Sequence, residues 1–209
     1  MTKAQYLEYV FGQFHIEIDN VFERFKVKWA LLFALKNCTD NVTIQINDKT
    51  STRVVLDINY PSGKICSYYE QMETECRRIF ISDTYSSCAT FCIYLDNVLR
   101  EKSVNGRHMP AFSDNKYDQP LNILNRFLNT QDKEFLNFLH LVRNSMIHYD
   151  GQHNKKNKLN YKVLNTDFIT TDNNLGEQII WSVEEMIEVH RKAKEIFDLE
   201  KFKKSPLFK

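Results

Sequence analysis

Apolar residues recur at three- and four-residue steps along the first part of the chain. Tyr6, Val10, Phe11, Phe14, Ile18, Val21, Phe22 and Phe25 fall on this period, which predicts helix over 3–37, as one long helix or two broken ones. Gly12 inside it marks a close contact or a small kink. The period then changes. Val42-Thr43-Ile44-Gln45-Ile46 alternates, Asp48-Lys49-Thr50-Ser51 reads as a turn, and Val54 to Ile58 is rich in β-branched residues. A short hairpin is therefore predicted over about 42–59. Tyr60-Pro61-Ser62-Gly63 punctuates its end.

Beyond it, 64–81 is ambiguous but contains a helix-like stretch from Tyr68 to Ile79. A clearer helix covers 83–102, with Ser82 or Asp83 as its cap and Tyr85, Cys88, Cys92, Leu95 and Leu99 as its apolar stripe. Residues 103–118 form a polar loop, and Leu121 to Leu128 a short helix. Thr130 reads as the N-cap of a strong helix from 131 to about 149, which stops at Asp150-Gly151. A basic loop, 152–158, leads into weak alternation over 160–181, enough for one or two short strands. Ser182-Val183-Glu184-Glu185 has the capping-box pattern and opens a last helix to about Phe197, followed by a basic tail. With no repeat and no linker composition, residues 1–209 read as a single, mainly α domain with small β additions.

Composition sharpens this. Only 5 Gly and 4 Pro among 209 residues argue against disorder and against a turn-dense all-β fold. The 28 basic and 27 acidic side chains nearly cancel, which excludes a histone-like coat of charge but leaves room for local patches. The first residues lack the basic start and apolar core of a secretory signal. The longest apolar run, Trp29 to Leu35, is far short of the roughly 20 residues that span a bilayer. The five cysteines are odd in number and include no CxxC pair, so they read as reduced thiols of a cytoplasmic protein. Cys88 and Cys92 lie on an apolar stripe and read as core thiols; no metal site and no cofactor are expected. His108 and His153 read as solvated loop residues. No Walker loop, GxGxxG, HExxH or GxSxG occurs.

The segment Asp132 to Asp150 carries the chemistry. On a helical wheel Phe135, Phe138, Leu139, Val142, Met146 and Tyr149 make one stripe. The far side holds Leu136, His140, Arg143, Asn144, Ile147 and His148. Two aliphatics mixed with two histidines, an arginine and an amide do not make an ordinary solvated face. Such a side meets another helix, another subunit or a substrate. Arg143 and His148 are about 140° apart on the wheel, so one copy brings them together only with a bend or a partner.

The run Arg143-Asn144-Ser145-Met146-Ile147-His148, followed by Tyr149-Asp150-Gly151, resembles the signature of the HEPN superfamily of helical domains: Arg, a polar residue, a few positions, then His, near the end of a late helix. The resemblance implies a HEPN-like helical bundle, with the hairpin at about 42–59 as an insertion. It implies metal-independent RNA cleavage, in which the substrate's 2′-OH attacks the adjacent phosphate and leaves a 2′,3′-cyclic phosphate and a 5′-OH. It also implies a homodimer through the motif helix and a role as a toxin or anti-phage defence effector, with an antitoxin or defence-system partner protein. Side-chain chemistry fits those roles. Arg143 suits phosphate through a permanent charge and a fork of donors. His148 suits acid–base work, and Asn144, one turn before it, suits orientation. His140 and Tyr149 are accessory candidates, His140 as a local second acid or base.

Charge adds to this. Between 143 and 164 five basic side chains (Arg143, Lys155, Lys156, Lys158 and Lys162) face one acid, and 191–209 has seven basic against three acidic. Lys155, Lys156 and Lys158 are the candidate RNA-binding residues, and Tyr149 and Tyr161 could stack bases. The alternative is a non-catalytic HEPN-like helical module whose motif face binds a partner protein or a nucleotide. In that case Arg143, Asn144 and His148 form a structural polar cluster.

Overall fold

The computed structural model describes residues 3–36, 42–47, 55–60, 62–99 and 128–204. Among the described residues the chain is mainly helical, with two small antiparallel hairpins. Helix α1 runs Lys3–Lys36, strands β1 and β2 are Val42–Asn47 and Val55–Tyr60, and helix α2 runs Ser62–Leu99. After them come α3 (Thr130–His148), β3 (Asn160–Val163), β4 (Thr166–Ile169), a 3-10 turn at Asp172–Asn174, α4 (Val183–Ile196) and α5 (Leu199–Lys203). Among the described residues no helix is long and apolar enough to cross a membrane.

The three-and-four spacing of α1 does what it predicts. Leu7, Val10, Phe11, Phe14, Ile18, Val21 and Phe25 are buried along one unbroken helix. A Cβ built on Gly12 meets nothing within 4 Å, so this glycine is not a site of close approach. The hairpin at 42–59 forms with Val42 opposite Tyr60 and Asn47 opposite Val55. Between Lys64 and Gly106 the sequence has neither Gly nor Pro to stop a helix. The ambiguous 64–81 stretch and the clearer helix after it are accordingly one continuous element, α2. Ser82 and Asp83 lie inside it rather than at a cap, and the next residue, Thr84, is buried. The expected polar loop at 103–118, with His108, and the short helix to Leu128 lie outside the described residues, apart from Leu128 itself.

Contacts divide the chain into two units, each built from parts of both long helices. One is Glu23–Ile79. In it Phe25 lies 5.5 Å from Trp29, ring to ring, and the Arg77 guanidinium sits 5.3 Å from the centre of the Trp29 ring. Arg77 also pairs with Glu73 one turn earlier. The buried Tyr69 ring takes the Lys36 ammonium at 4.9 Å.

The other unit comprises the chain up to Phe22 and from Phe80 onward. Its core has two aromatic clusters. Phe11, Phe14 and Phe91 meet Phe197 and Phe202 at ring separations of 4.6 to 5.0 Å, which packs α1 and α2 against α4 and α5. Phe138 of α3 meets Tyr161, Phe168 and Trp181, and Trp181 stacks on Phe168 at 4.4 Å. This second cluster clamps the β3–β4 hairpin over α3. Its strands pair with Asn160 opposite Ile169 and Val163 opposite Thr166, so that the inward residues are Val163 and Phe168. Such aromatic pairs are worth about 0.5–1.5 kcal/mol each beyond the area they bury.

Caps fix the helix starts. Asn129 rather than Thr130 is the N-cap of α3: its Oδ1 accepts from the Asp132 N–H at 2.8 Å. Asn is the better cap of the two neighbours, and its choice shifts the helix start by one residue. Ser182 and Glu185 form the expected reciprocal capping box, at 3.1 and 2.7 Å. Buried Asp132 pairs with Lys201 of α5, which ties the start of α3 to the C-terminal helix.

Candidate functional site

Helix α3 presents two unlike sides, as its wheel predicts. Phe135, Phe138, Leu139, Val142 and Met146 are buried, and Tyr149 at the cap is half-buried. On the other side Leu136 has also gone into the core, whereas His140, Arg143 and Asn144 are half-buried and Ile147 and His148 are exposed. The mixed face is therefore graded, apolar at its start, polar and partly sheltered in the middle, open at its end.

The sheltered middle is a bonded cluster. Arg143 Nη1 donates to Asn144 Oδ1 at 3.4 Å, and Asn144 Nδ2 lies 3.0 Å from His140 Nε2. His140 Nδ1 lies 3.0 Å from the hydroxyl of Tyr85, which reaches in from α2. The Arg143 guanidinium rests over the Tyr85 ring at 5.6 Å, a cation–π contact. Arg143 Nε is buried and has no hydrogen-bond partner among the described residues. Part of the donor fork is thus unspent, in a group that keeps its charge when sheltered.

Tyr85 is the functional candidate that sequence reasoning missed. On the wheel it is one more member of the apolar stripe of α2, and it is indeed buried. The only local signal is generic: a buried phenol needs a partner for its hydroxyl. That the partner is His140, 55 positions away, is not readable from spacing.

His148 stands apart from this cluster. It is exposed in the last turn of α3, its ring 6.4 Å from that of Tyr149. No hydrogen bond or ion pair joins it to Arg143 within one chain, as the angle between them on the wheel predicts. The chain then turns sharply. Asp150 and Gly151 both have positive φ, 53° and 74°, and the Gly151 N–H bonds back to the Ser145 carbonyl at 3.0 Å. Residues 151–153 next pair with 177–179, through Ile179 N–H to Gly151 O at 2.8 Å and His153 N–H to Glu177 O at 2.9 Å.

The basic loop is anchored to the same helix. Asn154 Nδ2 donates to the Ser145 hydroxyl at 3.2 Å, and its Oδ1 accepts from the N–H groups of Lys156 and Asn157. Lys155, Lys156 and Lys158 project from this fixed turn as exposed cations. His153 is not a plain solvated residue. Its Nδ1 lies 2.9 Å from the Thr170 hydroxyl, and burial holds its ring below the ordinary imidazole value. Tyr161 has a ring face stacked on Phe138 at 4.7 Å, so that face is taken by the core and is not open to a base.

Cys76, Cys88 and Cys92 are buried free thiols. Burial pushes Cys88 up to about 12 and Cys92 well above the ordinary thiol value, so neither supplies a thiolate near neutral pH. Among the described residues no three or more His, Cys, Asp or Glu side chains gather where they could hold a metal ion. Comparison with protein-family models, with curated proteins and with solved structures gives no match.

Proposed function

We propose that this chain is a metal-independent endoribonuclease of the HEPN kind, acting as a homodimer through α3 in toxin or anti-phage defence. The observation that carries the proposal is the posture of Arg143. A half-buried guanidinium lies over the Tyr85 ring, steadied by Asn144, with its Nε unspent, five positions before an exposed histidine. An arginine held in this way is prepared for a phosphate, which takes two parallel donors. In the reaction, O2′ bonds to phosphorus as its proton passes to a base. The P–O5′ bond breaks, and O5′ takes a proton from an acid. Arg143 neutralises the crowded phosphorane, Asn144 orients, and His148 moves a proton. A facing copy brings its His148 to this Arg143, so that each site draws on both protomers. Lys155, Lys156 and Lys158, on a loop tied to the motif helix by Asn154, track the flanking phosphates.

A second reading has its own observation. Arg143 and His148 are not joined within one chain, which favours a module that binds a partner protein or a nucleotide without turnover. Incubation of total cellular RNA with purified protein in excess EDTA separates the two. Wild type should cleave and leave cyclic-phosphate ends, while folded Arg143→Ala and His148→Ala should each lose at least about a hundredfold in rate. Equal cleavage by all three would place the activity elsewhere. No cleavage by wild type would put the binding module first.

A further inference from the structure

The hydrogen bonds around His140 have a direction set by chemistry. An arginine can only donate. Asn144 Oδ1, 3.4 Å from Arg143 Nη1, is therefore the acceptor, and the amide nitrogen faces the other way. That nitrogen donates to His140 Nε2 at 3.0 Å, so Nε2 carries a lone pair and no hydrogen. A ring with a bare Nε2 is neutral and has its hydrogen on Nδ1. Nδ1 then donates to the Tyr85 oxygen at 3.0 Å. Turning the Asn144 amide over would set its NH2 against the guanidinium, donor against donor.

A second proton on His140 would make both ring nitrogens donors. Asn144 could meet the ring only with its oxygen, and that turn would take the oxygen away from Arg143. Among the described contacts, the titratable and charged groups beside the ring include Tyr85 on α2, 5.4 Å away ring to ring, and Arg143 on α3, whose charge lies over the same Tyr85 ring.

We propose that Tyr85 and His140 are positioning residues for Arg143: the relay Arg143–Asn144–His140–Tyr85 holds the guanidinium in place only while His140 is neutral. The relay's use in catalysis rests on the ribonuclease reading above. Tyr85 acts through both of its parts. Its hydroxyl fixes which ring nitrogen bears the hydrogen, and its face supports the guanidinium. The consequence runs against simple electrostatics. Added protons make a protein more positive and ordinarily tighten its grip on RNA, whereas the relay weakens that grip as the solution turns acid.

The test uses the full chain and two readouts. Nitrogen-15 NMR reads the His140 tautomer and the order of the Arg143 side chain. Fluorescence anisotropy in EDTA reads binding of a 2′-O-methyl single-stranded RNA, which 2′-OH attack cannot cleave. Wild type should carry the His140 hydrogen on Nδ1, and its binding should weaken about tenfold from about pH 8 to about pH 5. Tyr85→Phe keeps the ring but should shift the hydrogen toward Nε2 and loosen Arg143. His140→Gln can accept from Asn144 and donate to Tyr85 without titrating, so it should flatten the pH profile. It also carries the test if Tyr85→Phe does not fold.

A hydrogen on Nε2 in wild type overturns the relay, as does an Arg143 order that neither acid nor Tyr85→Phe changes, even where RNA is cleaved. Binding that tightens into acid in wild type and His140→Gln alike overturns it too. Absence of RNA binding at every pH, with the tautomer and the acid-sensitive order of Arg143 intact, upholds the relay and overturns the ribonuclease reading.

Discussion

Asp19 on α1 sits between two side chains of α4, with Lys194 Nζ at 2.8 Å from both of its oxygens and His190 Nε2 at 2.9 Å from one of them. His190 is itself stacked on Phe22 at 4.2 Å. Burial pushes the Asp19 carboxyl up, but the hydrogen bonds and charges of Lys194 and His190 together outweigh it, and the folded value lies below the ordinary one. A carboxyl depressed by folding stabilises the fold above its unfolded value, about 3.9. That contribution disappears as pH falls through the lower folded value. Its size is modest, because the Asp19 side chain is 47% exposed and water screens the pairs. Asp19→Asn should therefore cost about 0.5 kcal/mol at pH 7, with the difference from wild type vanishing in acid; denaturant unfolding across pH measures it. A cost that persists unchanged at low pH would assign the effect to packing. At this scale the sequence was partly legible. Arg143 and Asn144 stood out because their types are unusual on a helix face. Asp19, His190 and Tyr85 did not, since each depends on a partner from a distant helix and no periodicity reports such a pairing.

Ser182 shows how a short local pattern acts on a whole helix. Its hydroxyl oxygen takes the Glu185 N–H, and the Glu185 carboxylate takes the Ser182 N–H, so two of the donors left open at the start of α4 are satisfied reciprocally. Ser182→Ala removes one bond and leaves buried Glu185 with less to hold it in place. The expected cost is about 1 kcal/mol, read in thermal unfolding as about 2–4 °C; an unchanged midpoint would mean that packing of Met186, Val189, Ala193 and Ile196 holds the helix start by itself. Elements of this kind were legible because their signals are local: period for α1 and α3, alternation for the 42–59 hairpin, a four-residue box for α4. The middle of α2 was less so. Ser82-Asp83-Thr84 looks like a helix start, because these side chains compete for backbone hydrogen bonds. Burial of Phe80, Ile81, Thr84 and Tyr85 on either side overrides that preference, and the helix runs through.

At the scale of the molecule, the separation of Arg143 from His148 within one chain decides what an active site would have to be. The guanidinium is sheltered between Asn144 and Tyr85, and the imidazole stands in water at the end of the same helix beside the exposed Ile147. If catalysis uses both, a dimer with facing α3 helices supplies Arg143 from one protomer and His148 from its partner. That arrangement has a signature no single-chain site can produce. Arg143→Ala and His148→Ala are each inactive alone, since every site in either dimer lacks one group. Mixed and allowed to exchange subunits, half of the dimers contain one of each. In these, one of the two sites takes its arginine from the His148→Ala protomer and its histidine from the Arg143→Ala protomer, and is intact. The mixture should recover about a quarter of wild-type cleavage, measured in EDTA after the exchange is verified by mass. A mixture that exchanges subunits but stays inactive would mean that each protomer needs its own pair, and α3 would then have to bend to bring His148 to Arg143.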